Sequence, residues 1–200
     1  KIRCSYASAY GPASEVILEM ARKLRPDFII MGTKGAGWLK GGVIGTNASW
    51  VAGHSKCPVI AVPDKTSSKP VRKIAYATDY SKDDLSILRS VADLAELHAA
   101  RVDVIHVADE EYVPSSEKEF MQKFIARVQK KVRYRRITYR VIYEKGVLHA
   151  LQGYVKRESP GLLAVSARPR GLIGRLFGSS VTRGMAFHST VPLLVFHRKG

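Results

Sequence analysis

The chain alternates short apolar runs with longer segments in which apolar residues recur every three or four positions. The short runs are typical of buried strands in a parallel sheet, and the longer segments are typical of helices with one packed face. In the first part of the chain this pattern predicts strands at 28–31 and 58–62 and helices at 13–24 and 46–54. Strands that alternate with helices pair in parallel through right-handed crossovers, so the pattern predicts an α/β fold.

The same order of elements returns after residues 64–72, a polar segment with Ser, Lys and Pro that is interpreted as a linker. Beyond it we expect strands at 73–78, 102–107, 137–143, 161–165 and 192–196, and helices at 82–99, 116–132, 147–157 and 180–188. The two parts align without gaps at an offset of 134, which pairs Met31 with Val165 and Pro58 with Pro192. A constant offset through strand, loop, helix and strand indicates a duplicated unit.

The repeat predicts a domain organisation. Residues 1–63 are interpreted as the C-terminal part of a first domain, 64–72 as the linker, and 73–200 as a complete second domain. By the repeat logic, roughly 65 residues of the first copy are absent from this chain, which we therefore expect to be a fragment of a longer tandem protein.

A glycine-rich loop between Gly32 and Thr46 carries the candidate chemistry. It follows a predicted buried strand and precedes a predicted helix, the place where open α/β sheets bind ligands. Glycine lets the backbone approach phosphate oxygens, and amides at a helix N-terminus favour an anion. The loop contains neither the G-x-x-x-x-G-K-[ST] of P-loop proteins nor the G-x-G-x-x-G of dinucleotide-binding folds.

The loop resembles the signature of the universal stress protein family, G-x2-G-x9-G-[ST], through Gly32, Gly35, Gly45 and Thr46. The segments 76–81 and 104–109 are similar to the first-strand T-D-x-S and second-strand segments of that family. The resemblance implies a duplicated fold of five parallel strands flanked by helices, Rossmann-like and of the adenine nucleotide alpha hydrolase type.

The resemblance also implies a ligand, ATP or AMP, and Mg²⁺ is the ion that would accompany ATP. The residues that would hold phosphates and ribose in the first half are Met31, Gly32, Lys34, Gly35, Gly45 and Thr46. The adenine end of that half would lie in the absent residues. In the second half, Asp79 and Val107 match the positions that hold the base.

The second half departs from the signature. At the offset of 134, Gly32, Gly35 and Gly45 are replaced by Ser166, Pro169 and Ser179. Proline lacks an N–H, and neither residue has the backbone freedom of glycine, so we expect no cofactor, or a weakly bound one, in this half. The cations of the same loop could still hold a phosphate or sulfate: Arg168, Arg170 and Arg175.

The net charge of +16 is the unusual bulk property and would suit polyanions as well as nucleotides. Eight cations form a basic run over the helix at 116–132 and beyond. Because base-stacking aromatic residues are not interleaved there, we interpret the run as a solvated outer face and expect no nucleic-acid recognition. The run consists of Lys118, Lys123, Arg127, Lys130, Lys131, Arg133, Arg135 and Arg136.

Other features limit the location and the chemistry. No stretch approaches the roughly 20 apolar residues of a membrane span, and we expect a cytoplasmic protein. Cys4 and Cys57 are far apart and show no disulfide or zinc spacing, so we expect both to be small buried side chains. His106, within an apolar strand, is interpreted as structural. No nucleophile and base can be paired from spacing, which argues against an enzyme beyond slow ATP hydrolysis.

The sequence therefore predicts a stress-response protein that binds ATP or AMP and acts through partners. The alternative is a nucleotide-independent interaction or polyanion-binding module. The closing strands at 58–62 and 192–196 should be sheet edges, so we expect them to pair with each other across the two halves, or between chains in a dimer.

Overall fold

The computed structural model describes residues 3–33, 46–66, 68–108, 114–167 and 191–197, and these residues form one seven-stranded sheet and five helices. In chain order the elements are α1 (Ala13–Leu24), β1 (Ile29–Gly32), α2 (Thr46–His54), β2 (Val59–Val62), β3 (Lys73–Thr78), α3 (Asp84–Leu97), β4 (Arg101–Ala108), α4 (Pro114–Lys131), β5 (Ile137–Tyr143), α5 (Val147–Glu158), β6 (Leu162–Ala167) and β7 (Leu193–His197). These bounds lie within two residues of the predicted ones. The helix predicted at 180–188 lies outside the described residues.

Five strands of the second half form the parallel sheet that the sequence predicts. Their order is β7-β6-β3-β4-β5, and each pair of neighbours is parallel. The first strand of this half, β3, lies in the centre, with Tyr76 opposite Val104 of β4 and Ala164 of β6. The carboxyl ends of β3, β4 and β6 therefore meet at one edge of the sheet.

The two halves are joined through their closing strands. β2 pairs antiparallel with β7, with Val59 opposite Val195 and Ala61 opposite Leu193. The expected pairing of these strands is confirmed, and it occurs within one chain. The result is a mixed sheet of seven strands rather than a five-stranded sheet alone, because each closing strand covers the edge that the other would leave unpaired.

The strand register repeats between the halves. β1 pairs parallel with β2, with Ile29 opposite Val59 and Gly32 opposite Val62. β6 pairs parallel with β7, with Leu163 opposite Leu193 and Ser166 opposite Phe196. Adding 134 to each residue of the first pairing gives the second, so the offset that aligns the sequences also aligns the strands.

The core lies on both faces of the sheet. On one face, α3 and α4 pack Leu88, Val91 and Phe124 against buried residues of β3 and β4. On the other, α2 and α5 pack Val51 and Leu151 against a cluster to which β2, β4, β6 and β7 all contribute. Among the helices that the structure describes, none combines the length and apolarity that a bilayer span needs.

The two cysteines occupy different environments. Cys57 is half-buried, and its thiol donates to the carbonyl of Pro26 at 3.1 Å. Cys4 is exposed, in a segment of the described chain with neither helix nor strand, so the prediction that it is buried is wrong. Among the strands that the structure describes, none pairs with the segment around Cys4 to bury it.

Candidate functional site

The described ends of the glycine-rich loop lie at the carboxyl end of β1 and at the start of α2. Met31 and Gly32 are the last residues of β1, where Met31 is half-buried and Gly32 is exposed. The amide of Thr33 donates to the carbonyl of Val62 at 3.1 Å, which extends the β1–β2 ladder to the start of the loop. Thr46 is the first residue of α2. The loop thus connects the end of a strand to the start of a helix, as predicted. Three of its candidate residues, Lys34, Gly35 and Gly45, lie outside the described residues.

The equivalent position in the second half is formed by the carboxyl ends of β3, β4 and β6, which lie at the opposite edge of the sheet because β2 pairs antiparallel with β7. Thr78 lies opposite His106, so Asp79 and Val107 follow at neighbouring strand ends. Asp79 is exposed and Val107 is half-buried. The structure therefore brings together the two residues that were predicted for the base side. Ser166 lies near the end of β6, and the residues that follow Ala167, including Pro169 and Ser179, are outside the described part of the chain.

A buried aspartate fixes the turn between β3 and α3. The carboxylate of Asp84, which is fully buried, accepts hydrogen bonds from the hydroxyls of Tyr76 at 2.8 Å and Thr78 at 2.5 Å. It also accepts from the amide of Ser81 at 3.0 Å. These bonds tie the end of β3, the turn and the first residue of α3 into one unit. Asp79 is consequently presented at a fixed place on the edge, where it accepts from the Ser81 amide at 3.3 Å.

His106 is held at both ring nitrogens. Its Nδ1 lies 2.9 Å from the carbonyl of Thr78, and since a carbonyl can only accept, Nδ1 donates. Its Nε2 lies 3.3 Å from Oε2 of Glu117, and both side chains are largely buried. The ring therefore links β3, β4 and α4.

Tyr80 covers this pair. Its ring stacks on His106 with centroids 4.2 Å apart, and its backbone is in the left-handed region with φ of 60°. Arg127 of α4 donates to its carbonyl at 3.0 Å. Burial and the nearby carboxylate of Glu117 raise the pKa of the Tyr80 hydroxyl, which stays protonated at neutral pH.

Reasoning from the sequence missed Asp84, Glu117 and Arg127. For Asp84 there was a local signal, an aspartate in the first helical turn after the Thr-Asp segment. Glu117 and Arg127 had none, since their partners lie on other elements. Arg127 had been counted among the solvated cations, but it is half-buried and bonded to the turn. Among the described residues no group of three or more His, Cys, Asp or Glu is placed to bind a metal.

Comparison with known proteins adds to this geometry. The universal stress protein family matches residues 5–63 and 70–197. A "Universal stress protein A-like protein" from Arabidopsis thaliana is 32% identical over 63 residues, and the match covers 30% of this chain and 36% of that protein. The family match leaves out most of the segment interpreted as a linker.

Solved structures share the fold. The crystal structure of a universal stress protein from Archaeoglobus fulgidus DSM 4304 has a TM-score of 0.65 and 21% identity, and covers 92% of this chain; this chain spans 65% of that one. A universal stress protein from Archaeoglobus fulgidus, solved in complex with dAMP, has a TM-score of 0.48 and 17% identity over 66% of this chain and all of its own. The family match extends over most of the chain, and the protein belongs to the universal stress protein family.

Proposed function

We propose that the chain binds an adenine nucleotide, ATP or AMP, through the glycine-rich loop of its first half, and that it serves the stress response by this binding and through partners rather than by catalysis. One observation carries the proposal. Gly32 and Thr46, the first and last residues of the signature, lie at the carboxyl end of β1 and at the first position of α2. Backbone amides at such a strand-to-helix connection attract phosphate.

Within this site we assign the phosphates and ribose to Met31, Gly32, Lys34, Gly35, Gly45 and Thr46. The glycines would let the backbone approach phosphate oxygens, and Lys34 would add positive charge. Thr46 would contribute its amide at the start of α2. The base would lie on the side of β1 away from β2.

The second half is proposed to bind nucleotide weakly or not at all. Asp79 and Val107 occupy neighbouring strand ends, as a base-side pair requires. However, the loop that would complete the pocket has Ser166, Pro169 and Ser179 where the first half has glycine. A proline amide cannot donate to phosphate, and side chains at the other two positions would keep the backbone away from it.

The domain boundaries are part of the proposal. Residues 1–63 would be the end of a first domain, 64–72 a linker, and 73–200 a second domain. The equal register of β1–β2 and β6–β7 at an offset of 134 supports this division. The described residues between β2 and β3 contain neither helix nor strand, which suits a linker.

The repeat supplies a matched pair of variants for the test. Gly32→Val places a side chain where we assign the phosphate, and Ser166→Val places the same side chain at the equivalent position of the second half. Calorimetric titration with ATP and with AMP, at 150 mM and 500 mM salt, should show binding that Gly32→Val weakens at least about tenfold, or 1.4 kcal/mol. Ser166→Val should leave the affinity unchanged.

Two results would contradict the proposal. If Ser166→Val weakened binding and Gly32→Val did not, the second half would carry the site. If the affinity fell steeply with salt and neither variant changed it, the nucleotide would be bound as a generic anion, and the polyanion-binding alternative would replace the nucleotide function.

A further inference from the structure

A dense basic surface lies at the amino ends of β3, β4 and β5, several strand positions along the sheet from β1 and the glycine-rich loop. It is defined by seven exposed cations that we call the amino-edge patch. These are Arg72, Arg89, Lys130, Lys131, Arg133, Arg135 and Arg136. Between residues 120 and 143 the chain has eight Lys and Arg and no Asp or Glu, so much of the net charge of +16 is concentrated here.

The sheet brings residues that are distant in sequence to this edge. The amide of Arg101 donates to the carbonyl of Arg72 at 2.9 Å, and the amide of Val102 donates to the carbonyl of Arg136 at 2.9 Å. Arg72 and Arg136 therefore flank the start of β4 on its two sides. Neighbouring strands are about 4.8 Å apart, so the backbones of Arg72 and Arg136 are separated by roughly 10 Å.

Two of the arginines are fixed by backbone carbonyls. Nε of Arg89 on α3 donates to the carbonyl of Lys131 at 3.0 Å, and Nη1 of Arg136 donates to the carbonyl of Ala99 at 2.5 Å. A guanidinium has five N–H groups, and each of these bonds uses one of them. The charges are thus held in place at the surface with donors remaining for a ligand, which lowers the entropy lost on binding.

The acidic residues near the patch do not neutralise its positive charge. Asp103 is buried and bonded to Arg101, and Glu158 is paired with Lys73 and Arg140. None of these cations belongs to the patch. On α3 the exposed acids Asp93 and Glu96 follow Arg89, and set against the seven cations of the patch they leave a surplus of five positive charges.

We propose that the amino-edge patch binds the phosphodiester backbone of duplex nucleic acid without reading its sequence. Five of its seven cations are arginine, whose planar donors match phosphate oxygens. Tyr134, the aromatic residue between Lys130 and Arg136, donates its hydroxyl to the carbonyl of Ala100 and is half-buried, so it offers no platform for an unpaired base. The sequence argued against nucleic acid because the basic run lacks aromatic residues that stack on bases. Binding to the phosphate backbone requires no such stacking.

This inference goes beyond the nucleotide proposal. The patch and the start of the glycine-rich loop lie at the same edge of the sheet, because β1 and β2 run antiparallel to the other strands, but they are far apart along it. β1 is four strand positions from β3 and six from β5, which at about 4.8 Å per position gives separations of roughly 19 and 29 Å. The nucleotide test changes Gly32, whereas the duplex test changes Lys130, Arg133 and Arg135, so either proposal can fail without the other.

The test uses two triple variants of equal charge. Lys130→Gln, Arg133→Gln and Arg135→Gln remove three cations of the patch, while Lys82→Gln, Lys118→Gln and Lys145→Gln remove three exposed lysines elsewhere. Fluorescence anisotropy with a 20-base-pair DNA duplex is measured from 50 to 200 mM salt. Neutralising about five phosphates gives a slope of about −4.5 in log K against log salt, or roughly a 500-fold loss of affinity over that range.

The patch variant should weaken duplex binding at least about tenfold at 100 mM salt and make the slope shallower by about two or three. The control variant should change neither, with equal helix content of both variants by circular dichroism. Equal weakening in both variants, or no duplex binding by the unaltered chain at 50 mM salt, would overturn the proposal. So would stronger binding to vesicles with 30% anionic lipid than to duplex, since the surface would then fit a membrane.

Discussion

At the scale of single residues, Asp103 is a buried acid that several hydrogen bonds hold in the fold. It lies in the middle of β4 with no exposed surface. Its carboxylate accepts from the hydroxyls of Tyr154 at 2.5 Å and Thr138 at 2.6 Å, and from the guanidinium of Arg101 at 2.7 Å. Burial alone would raise the pKa of Asp103, but the hydrogen bonds from Thr138, Tyr154 and Arg101 outweigh it and the pKa is lowered.

We predict that Asp103→Asn lowers the free energy of unfolding by about 2 to 3 kcal/mol at pH 7, because an ionised acceptor with three donors is replaced by a neutral one. A lowered pKa in the folded state means that the carboxylate stabilises the protein above its unfolded pKa of about 3.9 and loses this effect as the pH falls. Urea unfolding at pH 7, 5, 4 and 3 should show the difference between the two proteins shrinking below pH 4.

Asp93→Asn is the matched control, since Asp93 is exposed on α3. It should change stability by less than about 0.5 kcal/mol at every pH. A difference between unaltered protein and Asp103→Asn that stays constant from pH 7 to pH 3 would contradict the ionised state of this carboxylate.

The residues that the sequence could and could not predict differ in the range of their contacts. Gly32, Thr46, Asp79 and Val107 belong to motifs whose spacing places them at strand or helix ends, and those places are where they lie. The pairing of His106 with Glu117 depends instead on how α4 crosses β4. No spacing along the chain encodes such a crossing, because the residues between them can follow many paths.

At the scale of elements, α1 and α3 have similar amphipathic patterns but different burial. α3 buries six residues, among them Leu88, which has no exposed surface. α1 has no fully buried residue, and its Leu24 is 68% exposed. Periodicity predicted both helices within two residues of their ends, since the apolar spacing is local. It could not predict their burial, which depends on the elements that pack against each face.

This contrast predicts unequal stability of the two helices. Leu88→Ala should lower the free energy of unfolding by about 3 kcal/mol through lost contacts and a cavity. Ile17→Ala, on the half-buried face of α1, should lower it by about 1 kcal/mol or less, because less apolar surface is removed from the core. Hydrogen exchange measured on the unaltered chain should show the amides of α1 exchanging faster than those of α3. Equal protection of the two helices would contradict the prediction.

At the scale of the whole molecule, the halves share one sheet and the apolar clusters on both of its faces, since Phe28 and Ile60 of the first half also pack against the cluster of α3 and α4. The core on the α2 and α5 face joins Val59 and Ala61 of the first half to Leu163 and Val195 of the second. The sequence predicted that the strands at 58–62 and 192–196 pair at their edges, but it left open whether the pairing occurs within one chain or between chains. Edge pairing is determined by which edges meet in space, and the antiparallel β2–β7 pairing resolves it.

Because no boundary separates these halves in the sheet, we predict that the described fold unfolds as one cooperative unit. Both tryptophans, Trp38 and Trp50, are in the first half, so their fluorescence reports on that half, while circular dichroism reports on all helices and strands. In urea the two transitions should coincide. Ala61→Pro, which removes a ladder donor inside β2, should cost about 3 kcal/mol and shift both transitions equally.

Ser68→Pro, in the segment without helix or strand between β2 and β3, should shift neither transition by more than the equivalent of about 0.5 kcal/mol. If Ala61→Pro instead moved the fluorescence transition to lower urea and left the dichroism of the second half in place, the five parallel strands would be stable alone. The β2–β7 pairing would then be a contact between separately folded domains. A coincident shift means that the β2–β7 pairing is part of a single cooperative unit, so that a change at the glycine-rich loop of the first half acts on the stability of both halves.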